Sequence, residues 1–122
     1  MYRMTGRPQV VFPESIGGSY MSAAAAVLAG ATTQYWEPGP YTLWTYAKTQ
    51  IDEGIAALAL ANYDLTIRGV RISQGEAEAA VIFSSGITKA QYKAAFIAFL
   101  AQIREDYGSN LPVYIIQTGT QV

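Results

Sequence analysis

Residues 69–80 read GVRISQGEAEAA, and the fold turns on how this stretch is read. Val70 and Ile72, with Ile67 before them, make an apolar strand, while Arg68 and Arg71 take its ends or one face to water. Gln74, Gly75 and Glu76 then interrupt the apolar pattern with a polar tripeptide. Two readings stay open at this point. One is an ordinary strand end, a polar turn whose glutamate starts a helix. The other puts the tripeptide on the rim of a reaction pocket. There Gln74 offers its amide to a developing negative oxygen, Gly75 bends the chain, and Glu76 accepts hydrogen bonds that fix the loop.

Downstream, SSGITKAQYKAAFIAFLAQIREDYG (84–108) is the best-defined helix. Thr88 and Gln91 make a capping box. Tyr92, Phe96, Phe99 and Ile103 recur at helical spacing, and Gly108 stops the last turn. LPVYIIQTG (111–119) follows as a strand. Its unbroken run Val113, Tyr114, Ile115, Ile116 suits a strand covered on both faces.

Upstream, Tyr41 to Ala61 places Trp44, Ala47, Ile51, Ile55 and Leu58 three or four apart. That is one helical stripe, with Lys48, Asp52 and Glu53 off it. EPGP (37–40) is a break, and TTQYW (32–36) is either a brief strand or a loop. YMSAAAAVLAGA (20–31) favours helix until Gly30, and its small residues suit close packing on a sheet. QVVFPE (9–14) reads as a short buried strand entering the loop ESIGGS (14–19). Strands alternating with helices predict an α/β domain with a mainly parallel sheet. Right-handed crossovers then bring ESIGGS and SQGEAE (73–78) to one rim, the carboxyl rim where such sheets bind ligands.

The chain has 122 residues, enough for one core and read as one domain, 1–122. It is 51% hydrophobic and 14% charged, which argues for heavy burial and against disorder. The net charge of −1 is spread singly, with no basic stripe for nucleic acid. No apolar run is long enough to span a bilayer, and MYRMTGRPQ has no apolar signal region. There is no cysteine and no histidine. Disulfides, thiolate metal sites and a self-contained Ser-His-Asp triad are therefore excluded.

Gly17 and Gly18, before a helix, permit a tight turn that exposes N–H groups to an oxyanion or phosphate. The plain alternative is a tight strand-to-helix turn. Neither a phosphate loop nor a dinucleotide fingerprint is complete here. Glu76 and Glu78, two residues apart in one loop, have no defined separation, which argues against the paired carboxylates of a glycosidase. Tyr35, Trp36, Tyr41, Trp44 and Tyr46 form an aromatic group in which Trp44 reads as core, while Ser19, Tyr35 and Trp36 are candidates for substrate contact.

The order SIGGS, then W-x-PG, a long helix, GVRISQGEAEA, and a further helix leading to LPVYIIQ resembles the sialate O-acetylesterase-like carbohydrate esterases, a branch of the SGNH hydrolases. The likeness runs over roughly residues 9 to 118. It implies a flavodoxin-like (SGNH-type) three-layer sandwich with an incomplete sheet. It assigns Gly17 and Gly18 to the block whose N–H binds the oxyanion, and Gln74, Gly75 and Glu76 to the next, with Gln74 the oxyanion-side donor. Ile72 or Ser73 stands at the family's aromatic position before the glutamine. The family's Gly-Gln-Ser-Asn-like nucleophile block and its Asp-x-x-His block have no counterpart, and Ser15 and Ser19 lack a nucleophile elbow and a base.

The resemblance thus implies part of, or a degenerate relative of, an esterase acting on acylated carbohydrate, inactive as this chain alone and using no cofactor or metal. One alternative is a non-catalytic carbohydrate-binding or structural module of a larger assembly, such as a phage tail. Another is a small flavodoxin-like nucleotide-binding domain. A missing central strand implies self-association, rearranged strand order or a further polypeptide segment that completes the sheet.

Overall fold

The computed structural model describes residues 9–15, 18–31, 34–40 and 42–116. Helices and parallel strands alternate, so the chain is α/β. Helix α1 covers Ala23–Leu28 and α2 covers Leu43–Leu60. Strand β1 is Val70–Ile72, α3 is Glu76–Phe83, α4 is Lys89–Tyr107 and β2 is Val113–Ile115.

The two strands pair in parallel, Val70 with Val113, Arg71 with Tyr114 and Ile72 with Ile115. Backbone bonds from Val70 N to the Pro112 carbonyl and from Ile116 N to the Ile72 carbonyl extend the ladder at both ends. Helices α3 and α4 make the crossover between the strands. A second parallel link joins Tyr20, before α1, to Tyr35, after it, so Tyr35 of TTQYW is a bridge residue, while Thr32 and Thr33 lie outside the described residues. Tyr20 N donates to the Gln34 carbonyl and Trp36 N to the Tyr20 carbonyl, at 2.8 and 2.9 Å.

The core sits between α2, α4 and β1. Trp44 and Ala47 from α2 meet Ala95, Phe99 and Ile103 from α4, with Met21, Ile72 and Leu111 closing the cluster. Trp44 meets the Phe99 ring edge-on at 5.5 Å and Trp36 tilts against the same ring at 5.9 Å. These offsets match the quadrupoles of aromatic rings. The Thr88–Gln91 capping box forms as read, with both reciprocal bonds present. On α4 the deepest row is Ala95–Phe99–Ile103, four residues apart, and Tyr92 and Phe96 flank it half-buried.

Three expectations need correction. QVVFPE forms no strand. Val10 and Val11 are 50% and 72% exposed, and Phe12 anchors the segment by lying over Gly54, where a methyl group would overlap its ring. The apolar residues there serve one ring in a glycine notch and not a ladder. The strand read through Ile67, Val70 and Ile72 covers only Val70–Ile72, matching its equally short partner. The last strand is not covered on both faces, since Tyr114 and Ile115 are mostly exposed. Parallel sheets are normally sandwiched by helices, whereas these two side chains stay largely open to solvent. No helix among them is long and apolar enough to cross a membrane.

Candidate functional site

The rim of the sheet is built by Gly75. Its φ of +138° and ψ of −11° lie where side-chain-bearing residues are strained, so glycine lets β1 turn at once into α3. This helix is absent from the strand–helix order read along the sequence and appears there only as the option of a helix-starting glutamate. Its first residue, Glu76, is exposed, so Glu76 does not fix the loop as expected. Two residues on, about 200° around the helix, Glu78 points inward and is 1% exposed.

The Glu78 carboxylate joins the two rim loops. Its Oε2 accepts from Met21 N at 2.7 Å and from Gln74 Nε2 at 3.0 Å, and its Oε1 accepts from Ser22 N at 2.6 Å. Gln74 Nε2 also donates to the Ser19 carbonyl at 3.1 Å. The Tyr92 hydroxyl lies 3.4 Å from Gln74 Oε1, which turns the amide nitrogen toward Glu78 and Ser19. Burial, reinforced by the Glu78 and Glu76 carboxylates, raises the Tyr92 phenol above its ordinary range. The phenol therefore stays protonated and able to donate.

The start of α1 completes the cluster. Ala23 N donates to Glu37 Oε2 at 2.8 Å, and the N-cap Ser22 accepts from Ala25 N at 3.1 Å. The Trp36 indole donates to Ser19 Oγ at 3.0 Å. The bonds that end on the Glu78 and Glu37 carboxylates are charge-assisted, a class about twice as strong as neutral ones. Buried polar groups that are fully partnered lock a local geometry.

The two loops thus meet at one rim. Ser19 and Gln74 are in direct contact, and Gly18, with φ +71°, is exposed beside them. Gly17 lies outside the described residues. Gly75 faces the Tyr92 hydroxyl. Tyr35 is half-buried in the bridge to Tyr20, and Trp36 is half-buried with its ring on Phe99. Chemically, the arrangement is an anion held by two backbone N–H groups and an amide, and that anion is the protein's own carboxylate. An amide nitrogen has two hydrogens, and both of those on Gln74 have internal acceptors. Sequence reasoning weighed Glu78 only as a partner of Glu76. The usable signal was angular, because two glutamates two apart at a helix start cannot share a face. No family model, curated protein or solved structure matches the chain.

Proposed function

We propose that this chain is part of, or a degenerate relative of, a carbohydrate O-acetylesterase of the SGNH type, with a flavodoxin-like layered plan, and that it has no ester turnover of its own. One observation carries the reading. The glycine loop and the Gln-Gly-Glu loop, far apart in sequence, touch at the carboxyl end of β1 through Gln74 and Ser19. A working oxyanion hole needs free donors aimed at the developing charge. Here Gln74 donates to Glu78 and Ser19, so the rim acts as a scaffold.

That internal saturation favours the non-catalytic form of the reading, a module that contacts acylated carbohydrate or supports a larger assembly. The chain contains no histidine to activate Ser15 or Ser19. A two-stranded parallel sheet with Tyr114 and Ile115 exposed also favours completion by a second copy or a further polypeptide segment.

Titration with an O-acetylated hexose and with its deacetylated counterpart tests the proposal. The expected result is an acetyl-dependent chemical-shift change at Gly18 and the Gln74 side-chain amide, with no acetate released. Serine-dependent acetate release would overturn the inactive assignment. An absence of any acetyl-dependent shift would overturn the esterase kinship of the rim.

A further inference from the structure

Ahead of the rim, residues 9–15 are anchored on α2 by the Phe12 ring, which sits over Gly54. Among the described residues, no hydrogen bond ties this segment to the domain. The chain becomes fixed abruptly after Gly18. The Ser19 carbonyl accepts from Gln74, Tyr20 bonds to Gln34 and Trp36, and Met21 and Ser22 donate to Glu78. Gly18 itself has a φ of +71° and open space where a side chain would stand. Its glycine therefore serves the backbone turn and not a close approach.

Gly54 is the other half of the contact. It lies inside an 18-residue helix, where glycine is the poorest residue after proline. The face of α2 that brings Trp44, Ala47 and Ile51 to the core continues through positions 54 and 58. Ile51, Gly54 and Leu58 are all half-buried. A methyl group at position 54 would overlap the Phe12 ring. The helix thus omits one side chain from its apolar row, and a ring from residues 9–15 fills the notch.

We propose that residues 9–15 form a strap, hinged at Gly18 and latched by Phe12 in the Gly54 notch, which opens as a unit while the domain stays folded. Opening uncovers the α2 row between Ile51 and Leu58. Val10 and Val11, 50% and 72% exposed, add little to the closed state. The latch has the strength of one half-buried ring, roughly tenfold in the ratio of closed to open. The hydrogen-bonded segment after Gly18 opens far more rarely.

Glu14 lies inside the strap, so a glutamate-specific protease reads its opening. The full chain is digested in native buffer and the fragments are timed by mass spectrometry. Cuts after Glu78, which is buried, and Glu105, within α4, report unfolding of the domain. Cleavage tracks the open population while closing is faster than cutting. Release of residues 1–14 ahead of any cut at Glu78 or Glu105 is the expected result. Gly54→Ala leaves the cleaved sequence unaltered and favours the helix. It ejects the ring and speeds the Glu14 cut about tenfold, the worth of the latch. Phe12→Ala removes the ring from the other side, and the double variant is cut no faster than either single one. Neither variant speeds the cuts at Glu78 and Glu105. A Glu14 cut that only keeps pace with Glu78, or an unchanged Glu14 rate in Gly54→Ala, overturns the proposal. So does a double variant about a hundredfold faster than the wild type, the mark of two independent contacts.

Discussion

Replacing Glu78 by alanine is the most direct test of the rim. The substitution strips the acceptor from two buried backbone N–H groups, those of Met21 and Ser22, and from one half-buried proton of Gln74. A buried donor left without a partner costs about 1–3 kcal/mol. Gln74 is partly open to water and costs less, so the expected destabilisation is about 3–5 kcal/mol. Domains of this size are stable by about 5–15 kcal/mol, so the variant stands near its unfolding limit. Glu76→Ala is the matched control. Its side chain is exposed, and its loss costs less than about 1 kcal/mol through the helix N-terminus alone.

Urea unfolding, read at constant slope, gives both numbers. Amide exchange at Met21 and Ser22 gives the local reading, because those protons lose their acceptor whatever the global stability does. In Glu78→Gly, acetate or formate is small enough to take the vacated carboxylate position. It should raise the midpoint in proportion to the logarithm of its concentration. A loss under about 1 kcal/mol for Glu78→Ala, with Met21 and Ser22 still protected, would refute the claim that this carboxylate ties the loops together.

Other perturbations separate the remaining layers of the argument. Phe99→Ala removes the ring against which Trp36 and Trp44 pack and should cost about 3–5 kcal/mol in urea unfolding. Thr88→Ala deletes the capping box of α4 and should cost about 1 kcal/mol by the same measurement. Burial, then the bond to Asp52, holds the Tyr107 phenol above its ordinary range, and burial does the same to Tyr92. The folded chain therefore keeps two protons that the unfolded chain releases near pH ~10. Stability from these groups is complete below that pH and declines as pH rises through the raised folded values. Tyrosinate absorbance should show two late-titrating phenols, one of which disappears in Tyr107→Phe. Ile115→Lys places a charge on the exposed strand. It should abolish any concentration-dependent association seen by sedimentation, and association that survives it does not run through β2.

What the sequence made legible divides along the difference between local and non-local information. Helix α4 could be read closely because its signals are local. Thr88 and Gln91 bond to each other, and a four-residue period places Phe99 and Ile103 on one face. Strands have no such closure. Val10 and Val11 satisfy strand composition, yet a strand exists only where another backbone accepts its N–H groups, and that neighbour is not encoded nearby. β1 is three residues long for the same reason, since its length is set by residues 113–115 and not by its own apolar pattern. The two rim loops do meet, but not through the crossover read from the sequence, because that argument needs a strand before ESIGGS and QVVFPE forms none. Glu78 was not legible, because composition marks glutamate as a surface residue. Its burial depends on three donor atoms, two from residues 21–22 and one from Gln74. The angular relation with Glu76 carried the missing information. Once Gly75 turns the chain into a helix at Glu76, one glutamate must face solvent and the other must face the start of α1. An inward carboxylate is stable there only if backbone N–H groups receive it, and the N–H groups at the start of α1 are the donors close enough to do so. The rim is thus held by a residue that a motif-level reading passes over, and the motif's own glutamine is oriented by it.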